Sequence, residues 1–183
     1  MTTEAMTWGE FREQAAKRAG LHAIEGELRH RLAYLALGLC GEAGEYERAS
    51  LNIDGDDADQ LSELGDVAWY LAMIEHATCY RAAWPALDGE PVEWHGPLSL
   101  SARAGAVAEC AKRPMQGRSF PEDRMQKAID DVAREIAYEA QTLGGMAALY
   151  AANIAKTTAR FGAAGFTVEK ARALDAAAKG ARR

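Results

Sequence analysis

The sequence predicts an all-α protein, and three features of its composition and pattern lead to this prediction. Alanine, the residue with the highest intrinsic helix propensity, makes up much of a hydrophobic share of 49%. β-Branched residues are scarce, and only five prolines interrupt the chain. Apolar residues recur at the 3.6-residue period of a helix buried on one face, and no alternating strand pattern of useful length occurs. The expected architecture is an antiparallel helix bundle.

The predicted helices are delimited by capping residues, glycines and prolines. Thr7 and Glu10 form a capping-box pattern at the start of the first helix, and Gly20 is a natural stop after it. The polar run that begins at Asn52 ends the second helix, and a loop rich in proline and glycine follows the third. The predicted helices cover residues 7–19, 24–51, 58–83, 98–113, 122–143 and 146–161, and a last amphipathic segment covers 167–179.

Composition and charge narrow the class of protein. A chain of 183 residues suffices for one domain with its own core. The net charge of −6 argues against sequence-independent binding to nucleic acid, which needs a basic surface. Three cysteines without a CxxC motif predict neither a disulfide framework nor a zinc ribbon. Neither a signal peptide nor an apolar stretch near the roughly 20 residues of a membrane span is apparent. We expect a cytoplasmic protein that binds no membrane and no nucleic acid.

Two acidic pairs on neighbouring predicted helices are the strongest chemical feature. Glu42 and Glu45 are three residues apart, as are Glu63 and Asp66. This spacing places both side chains of a pair on the same face of a helix. Because the loop between the two helices is short, the helices should form an antiparallel hairpin. The two pairs are therefore expected to face each other across one groove.

Four converging carboxylates predict a metal site. Without a cation they would repel one another and raise one another's pKa values. Magnesium prefers oxygen ligands and commonly bridges protein carboxylates to substrate phosphates. Gly41, Gly44 and Gly65 lie beside the acids, and each costs a helix about 1 kcal/mol relative to alanine. Close helix approach, or room for a ligand, would account for them. A single acidic pair is usually a solvated face, but two pairs joined by a hairpin loop favour a metal site.

The acidic segments also resemble a known family. GLCGEAGEYERA followed by ELGDVAWYLA resembles the paired ExxE…ExxD signature of the MazG-like, all-α NTP pyrophosphatases. Dimeric dUTPases and phosphoribosyl-ATP pyrophosphatases belong to the same superfamily. Seventeen residues separate Glu45 from Glu63, within the family's usual range. ANIAKTTARF resembles the family's closing helix motif, with Asn153, Lys156 and Arg160 at the matching positions. The middle of the chain, about residues 80–143, departs from a minimal member.

The resemblance implies a reaction and a set of roles. The expected reaction is hydrolysis of a (deoxy)nucleoside triphosphate between the α- and β-phosphates, which gives the monophosphate and pyrophosphate. The implied cofactor is magnesium, with manganese as a substitute. Glu45 is the expected base on the attacking water, with Glu42 as its catalytic neighbour. The implied metal ligands are Glu42, Glu45, Glu63 and Asp66, and the implied substrate-binding residues are Asn153, Lys156 and Arg160.

A weak internal repeat predicts a degenerate second hairpin. LGLCGEAGEYERA resembles LSLSARAGAVAECA, and LGDVAWYLA resembles IDDVAREIA. The second copy replaces the first three acids of the first copy with Arg103, Ala106 and Ala128, in that order. Only Asp131 survives, opposite Asp66, and it is expected to face Arg103. We therefore expect one catalytic site per chain, completed by the last helix of the bundle.

The predicted organisation is a single MazG-like domain over residues 1–183. The acidic catalytic helices cover about 7–84, the degenerate repeat and closing helix cover 98–161, and an amphipathic tail covers 167–183. Three alternatives stay open: a dUTPase-like specificity, a phosphoribosyl-ATP pyrophosphatase-like specificity, and a non-catalytic helical interaction protein. A homodimer is the candidate assembly. Base specificity is not decided by the sequence.

Overall fold

The computed structural model describes residues 6–18, 27–52, 56–84, 91–94 and 96–162. Within these ranges all regular secondary structure is helical, which confirms the predicted all-α class. The segment predicted at 167–179, the tail at 167–183 and the predicted start of the second helix at 24 lie outside the described residues. The helices are α1 (Trp8–Arg18), α2 (Leu28–Ser50), α3 (Asp57–Thr78), α4 (Leu100–Met115), α5 (Glu122–Thr142) and α6 (Gly145–Phe161).

The helix boundaries differ from the prediction mainly at the end of α3. The predicted helix continued to residue 83, whereas the structure ends it at Thr78. The next residue, Cys79, has a φ of 61°, and a residue in this left-handed conformation ends a helix. The fourth helix begins after its N-cap, Ser99, and continues through Pro114. Proline has no backbone N–H to donate, and the helix ends one residue later, at Met115.

Four helices form the central bundle. α2 packs against α3 and α4, and α5 packs against the same two helices, so two helical hairpins face each other. α1 lies on α3, and α6 lies on both α3 and α5. Each helix of the first hairpin thus contacts its counterpart in the aligned repeat, α2 with α4 and α3 with α5. Two copies related by an approximate twofold axis would pack in this way; the duplication itself stays a prediction.

The third helix is the most enclosed element of the bundle. Residues 71–75 are all fully buried because α1, α2, α5 and α6 cover different sides of this helix. Its apolar side chains include Leu64, Leu71 and Ile74, each with no exposed surface. Burial of a leucine or isoleucine side chain contributes about 1.5–3 kcal/mol. The helix that carries Glu63 and Asp66 is therefore held rigidly on its other sides.

A buried glutamate joins α1 to α3. Glu75 has no exposed surface, and its carboxylate accepts hydrogen bonds from Trp8 Nε1 at 3.0 Å and from the backbone N–H of Ala82 at 3.0 Å. Arg12 lies 3.2 Å from the same carboxylate and supplies the opposite charge. Burial of a charge is tolerated when it is paired and hydrogen-bonded in this way. These contacts also fix Trp8 against Trp84, with ring centroids 4.1 Å apart.

One glycine allows α2 and α3 to approach closely. A Cβ atom at position 38 would lie 2.1 Å from the ring of Tyr70, so only glycine fits beneath that ring. By contrast, a Cβ atom at Gly41 or Gly44 would meet no atom within 4 Å. These two glycines lie on the open side of α2. The sequence alone did not distinguish them from Gly38.

We expect Gly38→Ala to destabilise the protein by about 1–3 kcal/mol, the usual cost of an added methyl group that displaces a packed side chain. The matched control is Gly41→Ala, three residues away on the same helix. It should be neutral or stabilise by about 0.5–1 kcal/mol, because alanine favours the helix and nothing obstructs it. Urea unfolding of both variants checks this. Equal effects of the two substitutions would show that the contact at Tyr70 does not limit the approach of the helices.

Candidate functional site

Three of the predicted acids converge across the hairpin. Glu42 and Glu45 on α2, and Glu63 on α3, each place one carboxylate oxygen within 4.8 Å of the other two. Glu45 is exposed, whereas Glu42 and Glu63 are partly buried. The helical period puts the two α2 acids on one face. Antiparallel packing of the hairpin then places Glu63 opposite them.

The fourth acid has different partners. Asp66 Oδ1 accepts a hydrogen bond from Asn153 Nδ2 at 2.8 Å, and Asp66 Oδ2 accepts one from Lys156 Nζ at 2.5 Å. The same ammonium lies 3.5 Å from Glu63 Oε1. The structure therefore brings Asn153 and Lys156 of α6 to the acidic groove. It does not place Asp66 in the three-carboxylate group.

A second close approach allows α6 to reach this groove. A Cβ atom at position 65 would lie only 3.0 Å from the Cβ atom of Asn153, so Gly65 lets α3 and α6 meet beside Asp66. Of the three glycines noted beside the acids, this is the one that close helix approach explains. Asn153 is 1% exposed, and its amide is committed to Asp66. The structure thus places Asn153, a predicted substrate-binding residue, on the buried side of Asp66.

Glu42 has the most perturbed carboxyl group of the cluster. Partial burial, followed by the charges of Asp66, Glu45 and Glu63, raises the pKa of Glu42 from 4.5 to about 7. The positive charge of Lys156 acts in the opposite direction and lowers this pKa. The groove therefore costs free energy when all of its carboxylates are ionised, and a cation would relieve that cost.

Asp66 and Lys156 form the charged contact between α3 and α6. Burial raises the pKa of Asp66, although the hydrogen bond and charge of Lys156 oppose the effect of burial. For Lys156, burial lowers the pKa, but Asp66, Glu63 and Glu42 together outweigh burial and raise the pKa. The lysine is therefore an ammonium at neutral pH.

The other predicted basic residue lies at the exposed end of α6. Arg160 is exposed, and its guanidinium carbon is 5.2 Å from the centre of the Phe161 ring. Its charge is close enough to lower the pKa of Asp66. Sequence reasoning missed Arg18 of α1, which holds this part of α6 in place. Arg18 donates hydrogen bonds to Thr158 Oγ1 at 2.7 Å and to Ile154 O at 3.1 Å.

The second hairpin contains a buried ion pair at the corresponding position. Arg103, which aligns with Glu42, lies 2.9 Å from Glu135, and both side chains are less than a tenth exposed. The expectation that Asp131 faces Arg103 was wrong: Asp131 instead pairs with Lys127 at 2.5 Å, on the more exposed side of α5. A buried guanidinium needs a buried partner, and Glu135 lies one turn further along α5 on the core side. A charged residue within the apolar stripe of α5 was the available signal.

The described part of the chain contains no second group of three metal-ligating side chains. Nor does it contain a helix that is both long and apolar enough to cross a bilayer. No protein-family model, curated protein or solved structure matches the chain.

We expect Glu42→Gln to raise the free energy of unfolding above pH 7 when no metal is added. Below pH 4.5 the carboxyl group is protonated in both the folded and the unfolded chain. Between pH 4.5 and about 7 the unfolded chain releases this proton and the folded chain keeps it, so this group lowers stability as the pH rises. Above about 7 the full cost is present, and the neutral glutamine removes it.

Urea unfolding on both sides of this window measures the effect. The control is Glu109→Gln, the same chemical change at an exposed residue whose pKa is lowered by a hydrogen bond from Lys112. That variant should show no gain above pH 7. A gain of the same size in both variants would show that net charge alone, and not the acidic groove, is responsible.

Proposed function

We propose that this protein hydrolyses a nucleoside triphosphate to the monophosphate and pyrophosphate in a magnesium-dependent reaction. The observation that carries the proposal is the convergence of carboxylates from two helices with an ammonium group from a third. Oxygen ligands for a divalent cation and a cation for phosphate oxygens then line one groove. The resemblance to MazG-like enzymes supports the same function, and with it a bundle of the all-α NTP pyrophosphatase type.

The donor set fits magnesium. Octahedral magnesium holds its ligands at about 2.0–2.1 Å, which places the ligand oxygens roughly 3–4 Å from one another. The oxygens of Glu42, Glu45 and Glu63 lie within 4.8 Å, so small side-chain rotations would bring them into range. All the donors are carboxylates, which suits magnesium or manganese better than zinc or copper. Asp66, beside them, would be the fourth ligand.

In this proposal, basic side chains of α6 bind the phosphate groups. Lys156 is one-third exposed and stands at the edge of the carboxylates, and Arg160 lies one turn further along the helix. Arginine can bind phosphate oxygens in bidentate fashion, whereas lysine acts as a point charge. Asn153 is buried and would act indirectly, by orienting Asp66. This differs from the direct substrate contact that the resemblance implied.

The chemistry requires one water molecule and one base. When bound, magnesium would neutralise the triphosphate and lower the pKa of a water ligand. Glu45 is the exposed carboxylate of the three and would accept a proton from this water, which enters from bulk solvent. The water oxygen bonds to the α-phosphorus, and the bond from that phosphorus to the bridging oxygen breaks. Pyrophosphate leaves with the bridging oxygen and its electron pair, and Glu45 passes the proton to solvent.

The proposal includes one site per chain, and the contrast between the two hairpins supports it. The first supplies the carboxylates, whereas the second has an arginine paired with a glutamate at the corresponding place. α6 follows the second hairpin in sequence, yet Lys156 contacts Asp66 of the first. The proposed site therefore combines the first hairpin with α6. Within the same proposal, dUTP and phosphoribosyl-ATP are alternative substrates. The remaining alternative is a non-catalytic helical interaction protein, which would show no turnover.

We expect Glu45→Gln to lower kcat by about 100-fold or more, since a general base contributes at least that factor. Glu63→Gln should also lose most of its turnover, because the metal loses a ligand. Helical circular dichroism should be unchanged in both variants, since less repulsion remains between the carboxylates. Asp131→Asn is the matched control: Asp131 lies at the position equivalent to Asp66 and pairs with the exposed Lys127. Its turnover should equal that of the wild type.

The products distinguish the proposed reaction from other hydrolyses of a triphosphate. With magnesium and a panel of nucleoside triphosphates, the best substrate should give the monophosphate and pyrophosphate in equal amounts. Ion-exchange chromatography, with a pyrophosphate assay beside it, measures both. A diphosphate with orthophosphate would place the cleavage at the other anhydride bond. No turnover across the panel, dUTP and phosphoribosyl-ATP included, would sink the enzymatic assignment.

A further inference from the structure

Lys156 occupies a position that matters for cation binding as well as for phosphate. Its ammonium is 2.5 Å from Asp66 Oδ2 and 3.5 Å from Glu63 Oε1. The other oxygen of Asp66 accepts the amide of the buried Asn153. Both oxygens of the fourth carboxylate therefore already have donors.

A divalent cation bound by all four carboxylates would meet this ammonium directly. If Asp66 Oδ2 bound a metal ion while it still accepted the hydrogen bond from Lys156, the two cations would stand only a few ångströms apart. Like charges at such distances repel strongly in a partly buried groove, where the effective dielectric constant is far below that of water. Asn153 is buried beside Gly65, whereas Lys156 is about a third exposed. Lys156 is the partner that can move.

The Lys156 side chain has room to move away from Asp66. Its side chain is about a third exposed, on a flexible four-carbon stem, at the edge of the groove nearest Arg160. An anion at this edge would offer the ammonium an alternative partner. Polyphosphate is such an anion, and its arrival would free Asp66 while Lys156 keeps an opposite charge beside it.

We propose that Lys156 gates the fourth carboxylate and thereby couples cation binding to polyphosphate binding. This inference rests on the proposed function, because it assigns the regulation of that same groove. With Lys156 on Asp66, a cation meets three available carboxylates and a repelling ammonium. Once Lys156 moves to phosphate, Asp66 becomes available and the repulsion is relieved. By linkage, the cation raises affinity for the polyphosphate by the same factor.

The test is binding of Mn²⁺ alone to the full chain, measured by electron paramagnetic resonance and calorimetry without any nucleotide. Lys156→Met keeps most of the apolar stem and removes the charge. We expect it to bind Mn²⁺ at least about fivefold more tightly than the wild type, the lower end of usual coupling between two ligands. If the exposed carboxylates unfold this variant, as circular dichroism would show, Lys156→Gln supplies a neutral side chain that can still donate to Asp66.

Lys127→Met is the matched control. Lys127 lies 2.5 Å from Asp131, the equivalent aspartate of the second hairpin, so the variant loses the same type of ion pair and the same net charge. Its Mn²⁺ affinity should match that of the wild type. Unchanged or weaker binding in the Lys156 variants, or an equal gain in Lys127→Met, overturns the inference.

The outcomes also separate this inference from the proposed function. Suppose that the wild type binds Mn²⁺ and Lys156→Met binds it more tightly, but the wild type releases no pyrophosphate. This result refutes the enzymatic proposal and leaves the gate standing. If the wild type releases pyrophosphate but the Lys156 variants bind Mn²⁺ no more tightly than the wild type, only the gate is refuted. If neither the wild type nor the Lys156 variants bind Mn²⁺, the gate is overturned, and the pyrophosphate assay alone decides the enzymatic proposal.

Discussion

Repulsion among the carboxylates of the acidic groove is the interaction on which the arrangement of charges around α3 and α6 depends. Glu42, Glu45, Glu63 and Asp66 lie along one groove, and the raised pKa of Glu42 reflects both burial and their mutual charge. Lys156 offsets part of this cost from a helix that lies some ninety residues later in the chain. The position of α6 against α3, and the glycine at 65 that permits it, thus bear directly on the electrostatics of the groove.

The two hairpins meet the same packing problem with different charges. In the first, acids face one another, and the positive charge beside them comes from Lys156 on α6, outside the hairpin. In the second, Arg103 takes the place of an acid and finds a buried partner within the hairpin itself, in Glu135. A buried ion pair of this kind is costly to break, because one partner alone would leave an uncompensated charge. The second hairpin therefore compensates its buried charge internally, whereas the acids of the first depend on a cation from another helix.

The first helix contributes to the groove without entering it. Trp8 and Arg12 hold α1 on α3 through Glu75, the buried glutamate nine residues beyond Asp66 on that helix. At its other end, Arg18 donates hydrogen bonds to α6 near Lys156. Both helices that carry Asp66 and its cation are thus fixed by α1. This follows from packing of distant segments, and neither Arg18 nor Glu75 stood out in the sequence.

The sequence by itself determined the local structure: the all-α class, most helix boundaries and the spacing that puts each acidic pair on one face. These features depend on helical period, capping and propensity, which act over a few residues. Only the tertiary structure decided which charges meet. Asp66 binds Asn153 and Lys156, Asn153 is buried, and Arg103 pairs with Glu135 where Asp131 was expected. Partner choice depends on how closely helices approach, and that distance is set by side-chain size at positions such as Gly38 and Gly65. No local pattern revealed the role of Gly38, and for Gly65 the sequence left close approach and room for a ligand as alternatives.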